Sequence, residues 1–261
     1  MNSFDKKFFL EAGVNHFGKI SYVNKILNFF IKSNFQNITF MIHFEKFYKK
    51  FDKKGINFKL SNKFYSHIIN YCKKRKKKFG FSVCDVETFK TVSNIKVDFY
   101  KLLSVGINNQ ELIKMLKKKN KPIYISTGFN SNEKKINNCI RLFGKSKNIR
   151  LLHSPMTYQS NELNLNKINI FKKKFKLPIG YSNHFNSKEI FKVLSSYNPD
   201  SIFIYCKPIK KRGRVYPDDQ HAFYFDELQQ ILANYNEIKK MHSPLSKKRL
   251  KINIFKNEIK L

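Results

Sequence analysis

No run of 18 or more apolar residues occurs anywhere in this chain, so no membrane-spanning helix is expected. The N-terminus, Met1-Asn2-Ser3-Phe4-Asp5-Lys6-Lys7, lacks the apolar stretch and small-residue cleavage site of a secretory signal. Cysteine is scarce and dispersed. Cys72, Cys84, Cys139 and Cys206 form no CxxC pair, which speaks for reduced thiols in a cytoplasm and against a disulfide framework or a zinc site. No GxGxxG or GxxxxGK(S/T) loop follows an apolar segment, which counts against a nucleotide-binding open sheet. Internal repeats and flexible linkers are missing as well. The 261 residues are therefore read as one large domain, with 41% hydrophobic residues and 27 phenylalanines to fill its core.

Acidic residues are few: 18 Asp and Glu stand against 52 Lys and Arg, a formal charge of +34. Such a balance invites a nucleic-acid reading. The lysines argue otherwise, because they are scattered, and their short runs near 73–78, 117–121 and 172–174 fall at the ends of predicted helices, where cations are favourable and solvated. Abundant Lys, Asn, Ile and Phe together are what an AT-rich coding sequence gives. No RRM, KH, zinc-finger or recognition-helix pattern is present. Attraction to small acidic molecules, such as phosphorylated ones, fits the charge.

What is present is alternation. Strands are predicted over 8–13, 38–44, 79–83, 97–103, 122–126, 148–153, 178–180 and 201–205, and helices over 20–32, 60–76, 86–92, 109–118, 132–143, 163–175, 188–195 and 225–239. Residues 45–57 are mixed and charged. Continuous apolar strands alternating with helices imply a parallel sheet buried on both faces. The unit count and length fit an α/β fold, a (β/α)8 TIM barrel over 1–241, with a doubly wound sheet as the alternative and 242–261 as a basic C-terminal tail.

The strand ends carry the chemistry. Leu177-Pro178-Ile179-Gly180-Tyr181-Ser182-Asn183-His184 is an apolar run that stops at a glycine and delivers a hydroxyl, an amide and an imidazole. Other strand ends finish alike: Glu11 with Asn15 and His16, Ser82 with Asp85, Lys101 with Ser104, Ser126 with Thr127, and His153 with Tyr158. In a barrel these ends share one mouth. Singly, each is an ordinary turn former or capping residue. Together, a lysine and several hydroxyls make a cradle for a carboxylate or phosphate. Lys101 lies within an apolar strand, and a buried lysine usually needs an anion.

Glu11-Ala12-Gly13-Val14-Asn15-His16-Phe17-Gly18 resembles the E-x-G-x-N-H-x-G opening of the sialic acid (N-acetylneuraminate) synthase family. The resemblance continues in order through Phe81 to Asp85, Tyr100 to Ser104, Lys121 to Gly128, His153 to Tyr158 and Gly180 to His184. It implies a barrel fold, a cytoplasmic transferase of carbohydrate biosynthesis, and condensation of phosphoenolpyruvate with an N-acetylated amino sugar. It makes Ser82, Lys101, Ser104, Ser126 and Ser182 the phosphoenolpyruvate-binding residues, Tyr158 a sugar-side residue, and Glu11 and Lys101 the candidate catalytic groups. His184 becomes one of two histidine ligands to a divalent metal, manganese or magnesium, that polarises the sugar's aldehyde. A homodimer is also implied.

The sequence departs from that pattern in places. The eighth strand reads Phe203-Ile204-Tyr205-Cys206-Lys207, so Cys206 or Tyr205 stands where the second metal histidine is expected, and thiolate is a poor ligand for manganese or magnesium. The second-strand K-F-Q is absent, Gly106 replaces a glutamate, and Asn183 replaces an aspartate. Asp218-Asp219-Gln220-His221-Ala222-Phe223 only partly matches the closing acidic motif, and the family's antifreeze-like C-terminal domain has no counterpart. Three readings follow: a divergent synthase, a catalytically impaired homologue that binds an anionic ligand or a partner protein, and, last, a basic nucleic-acid binder.

Overall fold

Each of eight parallel strands hands on to a helix, and the last strand pairs with the first. The computed structural model describes residues 5–42, 58–128, 132–144, 146, 148–210 and 215–242. The strands are β1 (Phe8–Gly13), β2 (Asn37–Met41), β3 (Lys78–Val83), β4 (Phe99–Leu102), β5 (Ile123–Ser126), β6 (Ile149–His153), β7 (Ile179–Ser182) and β8 (Ile202–Lys207). The helices are α1 (Ile20–Lys32), α2 (Asn62–Lys74), α3 (Val86–Val92), α4 (Gln110–Lys118), α5 (Glu133–Phe143), α6 (Lys167–Phe175), α7 (Glu189–Tyr197) and α8 (Phe225–Met241). Strand order follows chain order, every neighbouring pair is parallel, and β1 pairs with β8 to close the cylinder. This is the (β/α)8 TIM barrel expected from the sequence.

Local chemistry sets the helix starts. The side chains of Ser61, Asp85, Asn109 and Asn132 each accept a hydrogen bond from the first turn of α2, α3, α4 and α5. On α1 the buried residues Val23, Ile26, Leu27 and Phe30 follow helical spacing.

Two shells of core result from the two-residue period of the strands. Outward positions join the helices in a large apolar shell that includes Leu10, Ile38, Phe81, Leu102, Ile125, Leu151, Ile204 and Cys206. Alternate positions give a separate inner cluster of Phe9, Phe99, Tyr124, Leu152 and Phe203. Phe9 stacks on Phe203 with ring centres 4.4 Å apart and meets Phe99 edge-on at 5.1 Å. Gly80 belongs to the same level, and a Cβ there would run into the Phe99 ring. The cylinder is thus plugged by an aromatic floor.

Several boundaries differ from expectation by a residue or two or more, and three of them bear on the site. Strand β7 continues past Gly180 to Ser182, because Tyr181 and Ser182 pair with β8. Strand β8 continues to Lys207, because a short ninth strand, β9 (Phe223–Tyr224), pairs in parallel with Cys206 and Lys207. Helix α6 begins at Lys167, after a 3-10 turn over Ser160–Glu162. The predicted strand end at 43–44, the region 45–57 and the tail from 243 lie outside the described residues.

Candidate active site

One pleat above the floor, the same strands place polar groups inside the barrel. Two residues on from Phe9, Phe99, Tyr124, Leu152 and Phe203 stand Glu11, Lys101, Ser126, Ser154 and Tyr205. Thr39, Ser82 and Ser182 join them at the equivalent places on β2, β3 and β7. Lys101 and Glu11 are each only 1% exposed. The Lys101 Nζ donates to both Glu11 carboxylate oxygens at 2.7 Å and to Ser182 Oγ at 3.0 Å. It also lies 4.8 Å from the centre of the Phe203 ring. Thr39 and Ser82 hydroxyls are 3.0 Å apart, and Ser126 donates to Ser154 Oγ at 2.8 Å. Burial raises the Glu11 pKa and lowers that of Lys101, while each partner's charge opposes that effect. The anion that Lys101 needs is therefore supplied first by the protein itself.

Of the residues singled out from sequence, Ser82, Lys101, Ser126, Ser182 and Glu11 lie in this one layer. Ser104 is half-buried in the 3-10 turn Ser104–Gly106 that follows β4. Tyr158 stands 48% exposed in the loop after β6, and its pKa is raised by burial and then by the charge of Asp218. Cys206 does not face the interior: it packs in the outer shell, and burial holds its thiol protonated. Strand alternation offers Tyr205 instead, so no thiol meets His184. His153 also faces outward. Its ring lies 6.0 Å from that of Tyr181, and Nε2 is 2.8 Å from the Leu163 carbonyl oxygen.

Beyond the strand ends a second group gathers. The chain after β8 turns back, pairs as β9, and carries Asp218 and His221 over the mouth. Asn15 fastens this return by donating to the Cys206 carbonyl at 2.8 Å and accepting from the Asp218 N–H at 3.1 Å. Gly13, at φ +53°, leaves space that a Cβ would take from the Asp218 carboxylate. Burial and the nearby Glu11 charge raise the Asp218 pKa to about 7. The His184 and His221 rings are 4.8 Å apart, and the Tyr205 ring is 4.9 Å from His221. Here hydrogen bonding is incomplete: His16 Nε2, His184 Nδ1, Asp218 Oδ2 and both His221 nitrogens are buried without a partner among the described residues. Within the same residues no three His, Cys, Asp or Glu side chains are grouped to hold a metal ion. No helix among them is long and apolar enough to cross a membrane.

Sequence reasoning missed Thr39 and Ser154, and named His221 only within the closing acidic motif, without a role. The first two could have been found by counting two residues on from the inward positions of β2 and β6. For His221 the partial match of 218–223 to the closing acidic motif was the only signal, and it did not place the residue, since the β9 return is what brings it beside His184.

Comparison with known proteins agrees with this architecture. The chain is 27% identical over 197 residues to an N,N'-diacetyllegionaminic acid synthase of Campylobacter jejuni, covering 67% of this chain and 59% of that protein. It spans little more than half the length of the curated relatives it matches. In fold it is similar to an N-acetylneuraminic acid (sialic acid) synthetase of Leptospira borgpetersenii crystallised with citrate, with a TM-score of 0.81, 21% identity, and coverage of 97% of this chain and 89% of that one. A spore coat polysaccharide biosynthesis protein of Bacillus subtilis superposes with a TM-score of 0.78 at 19% identity, over 93% of this chain and 72% of that one. A family model described as NeuB family matches residues 30–244, more than four fifths of the sequence, and the chain belongs to the NeuB family.

Proposed function

We propose that this protein is a nonulosonic acid synthase that condenses phosphoenolpyruvate with an N-acetylated amino sugar. The observation that carries the reading is the Lys101 ammonium held between Glu11 and Ser182 at the barrel mouth, with Ser82 and Ser126 in the same layer. A doubly anionic enol ester needs one fixed cation and several re-orientable hydroxyls, and this ring supplies them. Serine hydroxyls that now bond Thr39 and Ser154 can rotate toward a carboxylate or phosphate without moving the backbone. Glu11 and Ser182 hold the Lys101 Nζ in place before a substrate arrives, so the site is set beforehand and reorganises little.

The acceptor has room beside this ring. A cleft of about 580 Å³ opens where β5 and β6 meet α5 and α6; Ser154 of the ring layer, Thr127, Glu162 and Lys167 line it together with His153 and Phe171, a mixed lining with polar groups for a polyhydroxylated acceptor. The enol carbon bonds to the aldehyde carbon, water adds to the resulting cationic carbon, and the phosphate leaves with its ester oxygen. His184 is the residue the resemblance gives for a divalent ion, and its buried, unpartnered Nδ1 is compatible with that role. When bound, such an ion polarises the aldehyde oxygen.

The second reading, anion binding without turnover, draws on the same Lys101–Glu11 pair, which is complete without a substrate. Phosphate release from phosphoenolpyruvate, measured with manganese and a panel of N-acetylated amino sugars, separates the two. Sugar-dependent release supports the synthase. Calorimetric binding of phosphoenolpyruvate without release supports the anion binder, and absence of both overturns the proposal.

A further inference from the structure

The eighth strand lacks the histidine that the family resemblance expects there, since Tyr205 faces inward and Cys206 outward. An imidazole nevertheless occupies the space beside His184. It arrives by another route: β9 returns the chain to the end of β8, and His221 stands two residues before that pairing begins at Phe223. We propose that His221, from the loop following β8, is the second histidine ligand of a divalent cation shared with His184. This inference rests on the metal-assisted reading above and adds to it a ligand from a different segment of the chain.

Three observations support it. The ring centres of His184 and His221 are 4.8 Å apart. Two imidazoles that share one cation through bonds of about 2.1 Å hold their centres roughly 4.5–5.5 Å apart. Next, His184 Nδ1 and both nitrogens of His221 are sealed from solvent with no partner among the described residues. An unsatisfied buried polar atom is costly, and a folded chain seldom keeps three together unless a ligand completes them. Finally, a carboxylate stands beside the pair, which also feels the charges of Lys101 and Lys207. Asp218 Oδ1 lies 3.9 Å from His221 Nε2, too far for a hydrogen bond, and Asp218 Oδ2 is buried without a partner among the described residues. Glu11 already offsets Lys101. With two protein nitrogens, the remaining positions around the ion are left to water and substrate oxygens, as an open catalytic site requires.

The test uses the full chain and Mn²⁺ alone. Affinity is measured by calorimetry, and the number of coordinated histidine nitrogens by electron spin-echo modulation of the bound Mn²⁺. The wild type should show two nitrogens. His221→Ala and His184→Ala should each show one and bind at least ~10-fold more weakly. If His221→Ala does not fold, as judged by circular dichroism, His221→Gln gives the same nitrogen count. Two nitrogens and unchanged affinity after loss of His221 would overturn the inference, while a loss confined to His184→Ala would leave the metal-assisted reading standing. A wild type that binds no Mn²⁺ overturns both. Phosphoenolpyruvate binding in metal-free buffer then shows whether the Lys101 ring still holds its anion.

Discussion

Within the barrel, two adjacent levels are built from the same strands and differ completely in chemistry. The lower one, Phe9, Phe99, Tyr124, Leu152 and Phe203, is a buried, largely apolar cluster that holds itself by ring contacts. The upper one, two residues further along each strand, is polar and holds itself by hydrogen bonds. The floor makes the ring consequential. Because aromatic rings close the cylinder from below, the buried polar groups can be satisfied only by one another or by something entering from the mouth. Where they pair, as Lys101 does with Glu11 and Ser182, the site is complete before a ligand arrives. Where they do not, as at His184 and His221, it is not. Stability should therefore depend on both levels and anion binding on the upper one alone.

The largest test of that contrast is Lys101→Ala. Removing one partner of a buried ion pair leaves the other uncompensated, so unfolding in urea should show a loss of roughly 3–5 kcal/mol. Phosphoenolpyruvate binding by calorimetry should vanish. The paired change Glu11→Leu with Lys101→Met should restore most of the stability and none of the binding. Phe9→Ala supplies the other half. A cavity among the floor rings should cost about 3–4 kcal/mol, with phosphoenolpyruvate affinity kept within a few-fold. Equal loss of binding in Phe9→Ala would mean that floor and ring act as one unit, and the contrast would fail.

Much of this was legible in the sequence because strand and helix periods differ. Helix α1 falls on 20–32 as its apolar spacing predicts, and the polar ring follows from reading strand ends at a period of two. Failures came where a non-local contact sets the answer. Strand β8 runs to Lys207 only because β9 pairs with it, and β9 is too short to leave a pattern. That same pairing brings His221 to His184 across a stretch of chain with no regular spacing. The partner of Lys101 was read as an incoming ligand, whereas Glu11, ninety positions away, already holds it. The parity of Cys206 could have been settled from Phe203 and Tyr205. Once the aromatic at 203 is inward, 206 must be outward.

His153 extends the contrast to the outer face of the wall. It follows Leu152 of the floor yet points the other way, into the helices, where it packs near Phe171 and its Nε2 reaches the Leu163 carbonyl. Burial is the main influence that lowers its pKa from 6.5 to about 4. The unfolded chain therefore takes up this proton at higher pH than the folded one. The stability tied to a neutral His153 is fully present above pH 6.5 and is lost as pH falls toward 4. By linkage this amounts to about 3 kcal/mol at most. His153→Gln keeps a hydrogen-bond donor for Leu163 but cannot titrate. Urea midpoints should thus fall less steeply between pH 6.5 and 4 in the variant than in the wild type, with other buried histidines contributing equally to both. Since His153 lies outside the ring, anion affinity above pH 7 should not change. A variant whose midpoints track the wild type across that range would show that the imidazole is not held neutral by the wall. A drop in affinity would place His153 among the residues of the mouth.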